Sequence, residues 1–419
     1  LPYGVNEYGE NELITNPDEN FPGITAFANP PDTVMDVGPN HIVQMVNATQ
    51  FRVWDKNGNP LTGVINFGGL WSFGNPCRSN AGDPIVVYDH LADRWLLSQF
   101  SPAGDECIAI SQTPDPTANY FTYRFPMSAF PDYPKFGVWP DGYYMSTFEG
   151  SVLGIFVFDR ANMLLGNPAT YIKTSIPAFG APGVRATRIL PSDLDGPPPP
   201  TGTPNFFVRT VDNQQNPGTS DRIEVWEASV NWSTQRLFFS RVNTLLPNPF
   251  QIMLCNRNGG GTRDCIPQPD TSSTVDALSN RPMMQLKYRN FGSFAAMVFN
   301  QTIDVSASVS AFFEVAGIRW YELRKSGANW TIQQQGTYAP QPSGVASENQ
   351  LLHRWMGSAA IDKFGNIALG YSITNDDNLN EVFPGIRYTG HRFNDPPGLM
   401  SQGEKIIRNG TNSQTDGFG

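Results

Sequence analysis

The sequence is poor in charged side chains and has no long hydrophobic run. Lys, Arg, Asp and Glu make up 16% of its 419 residues, against roughly 25% in an average soluble domain. No apolar stretch approaches the length of a membrane-spanning helix. The net charge is −10 and no Lys/Arg run occurs, so the chain as a whole repels phosphate backbones. We therefore expect neither a membrane span nor a nucleic-acid partner.

Cysteine is also scarce, with four residues in the chain. Cys255 and Cys265 flank a polar, Gly-rich segment, and Cys77 and Cys107 stand at the two ends of one β segment. Two local disulfides are the simplest of the three possible pairings. Zinc would require Cys-x-x-Cys or a neighbouring His, and the sequence has neither. Paired cysteines predict an oxidising environment, outside the cell or on its surface.

Motifs that carry chemistry are missing. No Gly-x-Ser-x-Gly elbow occurs, and the four histidines do not define a Ser-His-Asp triad from their order in the chain. Residues 361–367 match the Asp-box hairpin of sialidase propellers only loosely, because the Ser and Trp of that motif are missing. Covalent haem is not expected because Cys-x-x-Cys-His is absent. The sequence therefore predicts no cofactor, with Ca²⁺ as the one ion to consider.

What the chain does have is many strand signals separated by turns, with 39 Gly and 36 Pro spread along it. Apolar runs meet Gly or Asp turns, and alternating runs then end in an aromatic residue followed by an acid. We call these pairs aromatic-acid tags; they are Trp54-Asp55, Phe158-Asp159, Trp226-Glu227 and Tyr321-Glu322. Together with fainter units they give a mean period of about 50 to 60 residues, near that of propeller blades. A β-sandwich is the alternative, although it favours an even turn spacing.

The fold class predicted is therefore all-β: a β-propeller of six or seven four-stranded blades. The candidate blades are 30–75, 80–127, 132–180, 184–245, 280–340 and 350–406. Around the propeller (30–406) we expect an extended N-terminal arm (1–29), a disulfide-stapled insertion (246–279) and an irregular C-terminal tail (407–419). Short helices are predicted at Ser128–Phe130, Arg160–Leu165 and Thr244–Leu246.

Four segments resemble those of large secreted bacterial propeller-like proteins, a family without an assigned activity. The segments are residues 36–47, 82–89, 93–100 and 133–141. The resemblance covers most of residues 30–160 and is loose elsewhere. Members of that family tend to continue with an Arg-Trp-Gly-Asp-Tyr-type blade, which this sequence lacks, so the blade number is left at six or seven.

Charged residues near the starts of the first strands are the candidate ligand-binding residues. In a propeller the first strand of each blade lines the axis, so these side chains could meet at an axial mouth. They are Asp36, Asp83, Lys135, Arg188, Arg281 and Arg354, with Arg185 next to Arg188. The alternative is that they form salt bridges between blades or cap turns.

Two further patterns concern ions and glycans. Residues 375–381 hold five short oxygen-bearing side chains, so Asp376 and Asp377 are weak Ca²⁺ candidates; a solvated hairpin tip explains them equally well. Five Asn-x-Ser/Thr sequons would carry glycans if the protein is a eukaryotic secreted one. They start at Asn47, Asn231, Asn300, Asn329 and Asn409.

The function these observations favour is a non-catalytic extracellular scaffold or binding protein. Its expected partners are itself, other extracellular proteins or glycans, and exchange of the N-terminal arm would provide self-assembly. The alternative is a secreted hydrolase or lyase that acts on a polysaccharide or another polymer at the axial mouth. That alternative requires acids or arginines with perturbed titration in a pocket.

Overall fold

The computed structural model describes most of the chain and divides it into two compact units. One unit comprises residues 19–246, and the other comprises residues 1–18 and 247–419. The described residues are 14–25, 27–47, 49–79, 81–178, 188–216, 218–252, 264–306, 314–343 and 347–415.

In the unit 19–246 the strands pair antiparallel in four sets of four consecutive strands, and we number each set as one sheet. The first sheet comprises β1 (Val34–Val37), β2 (His41–Val46), β3 (Gln50–Asp55) and β4 (Ile65–Asn66). The second comprises β5 (Ile85–Asp89), β6 (Arg94–Phe100), β7 (Asp105–Ser111) and β8 (Tyr120–Pro126). The third comprises β9 (Asp132–Trp139), β10 (Gly142–Phe148), β11 (Val152–Phe158) and β12 (Tyr171–Pro177). The fourth comprises β13 (Leu190–Leu194), β14 (Asn205–Val211), β15 (Arg222–Asn231) and β16 (Arg236–Leu245).

The unit containing residues 247–419 has two such sheets and one small hairpin among its described residues. The hairpin is β17 (Asp264–Ile266) with β18 (Val275–Asp276), within the range predicted as an insertion. The fifth sheet comprises β19 (Pro282–Asn290), β20 (Ala295–Asp304), β21 (Ala316–Lys325) and β22 (Trp330–Tyr338). The sixth comprises β23 (His353–Ile361), β24 (Ile367–Thr374), β25 (Gly385–His391) and β26 (Lys405–Arg408).

The chain is an all-β protein with the four-stranded antiparallel sheets of a β-propeller, as the sequence predicts. In the unit 19–246 the first strands of successive sheets contact one another: β1 contacts β5, β5 contacts β9, and β9 contacts β13. Backbones approach so closely there that a Cβ on Gly137 of β9 would lie 2.3 Å from the carbonyl oxygen of Ser192 in β13. The glycine therefore permits the contact between neighbouring first strands.

The aromatic-acid tags all fall at or in the third strand of a sheet: β3, β11, β15 and β21. Trp54 and Phe158 are buried at the ends of β3 and β11, and Tyr321 is buried within β21. Third strands have strands on both sides and sheets against their faces, so a large aromatic residue there buries much apolar area. The aromatic residue of a tag therefore indicates a buried position in the third strand of a blade.

The hydrophobic core lies between neighbouring sheets. Side chains of β2 and β3 pack against side chains of β5, β6 and β7, and those of β20 and β21 pack against β23 and β24. The Cys77–Cys107 disulfide is present and fully buried in the first of these layers, where it ties the short 3-10 helix Pro76–Arg78 to β7. A buried disulfide agrees with an oxidising compartment. Cys265 is also disulfide-bonded, and its predicted partner Cys255 lies outside the described residues.

Helices are short and few in the described part of the chain. The predicted helix Arg160–Leu165 is present as α1. The two other helix predictions are wrong. Residues 244 and 245 continue β16, because pairing with β15 outweighs the local helix propensity. Residues 128–130 form no helix. Besides the 3-10 helix Pro76–Arg78, the described residues include 3-10 helices at Phe67–Leu70 and Glu348–Gln350. No helix in the described ranges is long and apolar enough to cross a membrane.

Candidate functional site

Several charged side chains of the unit 19–246 meet where the first strands begin. We call this group the strand-start cluster; it comprises Asp32, Asp83, Glu106, Asp132, Lys135 and Arg188. Asp32 and Asp83 precede β1 and β5, Asp132 and Lys135 open β9, and Arg188 precedes β13. Glu106 belongs to the start of β7, which runs parallel to β5 because alternate strands of an antiparallel sheet share a direction. The structure thus brings together three of the predicted residues, Asp83, Lys135 and Arg188.

The two aspartates at the start of β1 and β5 are held by backbone and amide donors. Asp32 Oδ2 accepts a hydrogen bond of 2.6 Å from Nδ2 of Asn47, and Asn47 Oδ1 accepts one of 3.2 Å from the backbone N–H of Asp83. Asp83 Oδ2 accepts a bond of 3.1 Å from the N–H of Tyr133 at the start of β9. These bonds form a chain that joins the first, second and third sheets.

The two cations of the cluster lie against aromatic rings. Lys135 Nζ is 3.7 Å from the centre of the Tyr133 ring and donates to the carbonyl of Pro134 at 2.8 Å. The Arg188 guanidinium carbon lies 4.7 Å from the Tyr133 ring and 4.2 Å from the Phe148 ring, and its Nη2 is 3.5 Å from Asp132. Cation–π contacts hold both side chains in place.

Glu106 differs from the other acids of the cluster because it is completely buried. Neither of its carboxyl oxygens has a hydrogen-bond partner within the described ranges. Burial raises the pKa of Glu106 well above its usual range, although the nearby Ser98 hydroxyl lowers it, and Asp83 raises it further. A buried carboxyl without donors is held in its neutral form at neutral pH.

The pKa values of both aspartates are also raised. Burial is the main cause that raises the pKa of Asp32 to about 6, with Asp83 adding to the rise and Lys135 opposing it. Burial raises the pKa of Asp83 as well, while Lys135 lowers it and Asp132 raises it. Three carboxyls in one region therefore hold protons more tightly than free Asp or Glu side chains.

Asp36 lies elsewhere, farther along β1, where it serves a different contact. Its Oδ2 accepts a 2.8 Å bond from the N–H of Tyr88 in β5. Asp193 of β13 does the same for Val138 of β9, at 2.9 Å. In both cases an aspartate of one first strand accepts from the backbone of a neighbouring first strand.

Arg281 and Arg354 belong to the unit that contains residues 247–419. Arg354 is buried; its Nε bonds Glu404 Oε2 at 2.9 Å and its Nη1 bonds the carbonyl of Pro340 at 2.6 Å. Tyr371 donates to the same Glu404 oxygen at 2.6 Å. Arg281 is buried as well, and its Nε bonds Asn280. Arg185 lies outside the described residues.

The Ca²⁺ candidates form an ordinary hydrogen-bonded turn. Asp377 Oδ1 accepts from the N–H of Leu379 at 2.9 Å, and its Oδ2 accepts from Asn380 Nδ2 at 3.0 Å. Asp376 donates its backbone N–H to the carbonyl of Asn349. In the described part of the chain no three Asp, Glu, His or Cys side chains are arranged to hold a metal ion.

The sequons differ in accessibility. Asn231, Asn329 and Asn409 are exposed; Asn231 is the last residue of β15, and Asn329 lies between β21 and β22. Asn300 in β20 is fully buried, so the folded protein has no room for a glycan there, and this candidate is withdrawn. Asn47 already donates both Nδ2 hydrogens, to Pro30 and Asp32; a glycan would replace one of them.

The sequence did not single out Asp32 or Glu106, and it marked Asn47 only as the start of a sequon. Each approaches its neighbours only when strands distant in the chain are brought together. A weak signal was available for Glu106, since an acid inside an apolar strand such as 105–111 must either find a partner or lose its charge. Asp32 follows two prolines and stands two residues before the start of β1, as Asp83 stands two residues before the start of β5.

Comparisons with known proteins identify no family. No family model and no curated protein matches the chain. Similar solved structures include the periplasmic gluconolactonase of Pseudomonas aeruginosa, with 10% identity and a TM-score of 0.42 over 85% of this chain and 84% of that one. An apocarotenoid oxygenase of Synechocystis has 10% identity and a TM-score of 0.40 over 90% and 70%. A GH43 β-1,3-galactosidase has 10% identity and a TM-score of 0.33 over 86% and 73%. With TM-scores this low, none of these similarities bears on what this chain does.

Proposed function

We propose that the chain is a non-catalytic extracellular binding or scaffold protein built on a β-propeller. Its partners are glycans, other extracellular proteins or further copies of itself. The buried Cys77–Cys107 disulfide supports the extracellular location. The low content of charged residues and the many turns between short strands support a surface that binds partners rather than one that catalyses a reaction.

One observation favours binding over catalysis: no carboxyl of the strand-start cluster is both unengaged and accessible. Asp83 accepts a hydrogen bond from Tyr133 of the neighbouring sheet, and Asp32 accepts one from Asn47, which follows β2 of the same sheet. The side chain of Asp132 is 46% exposed, but it lies 3.5 Å from Nη2 of Arg188. Glu106 lacks partners in the described residues but is completely buried, so no substrate reaches it. Polysaccharide hydrolysis requires two carboxyls that flank an accessible bond, and this cluster does not offer such a pair.

The alternative, a secreted hydrolase or lyase, draws its support from the raised pKa values of Asp32 and Asp83 beside Lys135. Raised carboxyl pKa values are typical of general acids. They also arise wherever carboxyls are buried as structural contacts, and the hydrogen bonds of Asp83 and Asp32 are of that kind.

The test is to measure binding and turnover on the same samples. The purified chain is incubated with a panel of extracellular polysaccharides; bound polymer is followed by affinity electrophoresis and released products by mass spectrometry. We expect binding of at least one polymer without any product from the wild type, D32N or D83N. Product that the wild type releases and D83N does not would overturn the proposal in favour of a hydrolase or lyase.

A further inference from the structure

A second group of charged side chains lies on one face of the fourth sheet. Arg209 of β14 stands directly opposite Glu224 of β15, and Arg222 precedes Glu224 by two residues on the same strand. Arg241 of β16 stands opposite Trp226, two residues after Glu224. Because side chains alternate along a strand, these residues share a face. We call Arg209, Arg222 and Arg241 the arginine group.

The arginine group surrounds a single carboxylate. Glu224 is completely buried and accepts bonds from Arg209 Nε at 2.6 Å, Arg222 Nε at 2.9 Å and Arg241 Nη1 at 2.9 Å. Trp226 Nε1 adds a fourth at 3.3 Å. Burial alone would raise the pKa of Glu224, but the arginines lower it below its usual value. Three positive charges therefore face one negative charge, which leaves an excess of two positive charges.

Two members of the group keep unused donors on their guanidinium edges. Arg209 also donates to the carbonyl of Pro177 at 3.3 Å. Arg222 is engaged only through Nε and Arg241 only through Nη1, and their other N–H groups donate to nothing within the described ranges. The Arg241 side chain is 47% exposed and that of Arg222 13%. Glu224 thus fixes two guanidinium groups whose remaining edges are open to a ligand.

The backbone and the neighbouring rings orient the group. The register between β15 and β16 shifts at Val225 and Trp226; such bulges re-aim side chains and are frequent next to binding sites. Trp226 is half-buried and stacks on Phe239 with ring centres 5.1 Å apart. The guanidinium carbon of Arg209 lies 5.3 Å from the centre of the same indole ring, so Trp226 helps to hold the arginine group in place.

We propose that Arg222 and Arg241 bind a carboxylate or sulfate group of an acidic extracellular glycan. The planar guanidinium matches such oxyanions with paired N–H donors. The chain has no Lys/Arg run that could follow a phosphate backbone, so these two arginines fit an anionic substituent of a glycan better than a nucleic acid. This inference rests on the proposed binding function and assigns it a ligand class.

The experiment compares charged and neutral polymers on two matched variants. R222Q/R241Q removes the open edges but keeps the Arg209–Glu224 pair. R236Q/R408Q removes two exposed arginines elsewhere and makes the same change in net charge. Binding of dextran sulfate, dextran, polygalacturonate and its methyl ester is measured by calorimetry, with circular dichroism to confirm that each variant is folded. A poly-glutamate peptide serves as the acidic control that carries no sugar.

We expect the wild type to bind dextran sulfate or polygalacturonate but not the matched neutral polymer. R222Q/R241Q should bind that polymer roughly tenfold or more weakly, while R236Q/R408Q should bind like the wild type. Binding of dextran sulfate alone assigns sulfate, and binding of polygalacturonate alone assigns carboxylate. Equal binding by both variants, tighter binding of poly-glutamate, or no binding by the wild type would overturn the inference. None of these outcomes yields product, so the proposed non-catalytic function is judged separately by the turnover assay.

Discussion

Buried carboxyl groups show how single residues set the properties of this protein. Glu106 avoids an unpaired buried charge by keeping its proton, and Asp32 keeps its proton to a higher pH than a free Asp would. Glu224, in contrast, stays charged because arginines surround it and lower its pKa. The same residue types thus serve opposite electrostatic roles within one unit, and the difference lies in their donors.

The raised pKa of Asp32 makes a prediction about pH. The folded protein holds this proton up to a pH of about 6, whereas the unfolded chain releases it near 3.9. The folded state binds more protons between these values, so the contribution of Asp32 to stability falls as pH rises from about 4 to about 6. D32N should therefore be more stable than the wild type at pH 7.5, by at most about 3 kcal/mol and less because Asp32 is partly exposed. At pH 4 the two should be equally stable.

Urea unfolding at both pH values measures this effect. E19Q makes the same change in charge at an exposed position and should show no gain at pH 7.5. A D32N protein that is equally stable or less stable at pH 7.5, with a normal fold, would show that Asp32 is ionised in the folded state without cost.

Individual elements depend on a few linking residues. The disulfide Cys77–Cys107 spans 30 residues and lies within the layer between the first two sheets. In the chain-entropy description, closing a loop of this length stabilises the folded state by about 3–4 kcal/mol. C77A/C107A should lose roughly that amount in urea unfolding. V43A, which removes buried methyl groups from the same layer, measures how much stability is lost through packing alone. A C77A/C107A protein that is no less stable than V43A would contradict the prediction.

The helix α1 ends at Gly166, which has a φ of 72° and whose N–H bonds the carbonyls of Asn162 and Met163. A Cβ there would lie 2.4 Å from the Phe121 ring. G166A should therefore cost more than the backbone strain of about 1–2 kcal/mol expected for a left-handed residue. G202A is the matched control, because Gly202 has a φ of 80° and open space around its Cβ position. Thermal unfolding should rank wild type, G202A and G166A in falling order; equal losses for the two variants would mean that Phe121 moves away freely.

On the scale of the whole molecule, the sequence predicted the repeated sheets because their signals are local. The aromatic-acid tags at Trp54 and Phe158 fall in third strands, and the helix Arg160–Leu165 is where its capping residues place it. These features depend on residues within a few positions of one another, and short-range chemistry decides them.

The site could be predicted only in part. Asp83, Lys135 and Arg188 were predictable as a group because each stands near the start of a first strand. Asp32 and Glu106 were not, because their surroundings are assembled from the first, second and third sheets. Arg354 illustrates the opposite case: its position suggested a mouth, but its carboxylate partner Glu404 lies 50 residues away and could not be inferred from spacing.

We propose that the acids of the strand-start cluster hold strands together rather than perform chemistry, and Asp83 makes the link between two sheets. The free energy of unfolding of D83A and D83N tests this directly. Asn keeps an oxygen that accepts from the Tyr133 N–H, whereas Ala leaves that donor unpaired. We predict that D83A loses about 1–3 kcal/mol while D83N stays within about 1 kcal/mol of the wild type. A D83A protein as stable as the wild type would contradict the account.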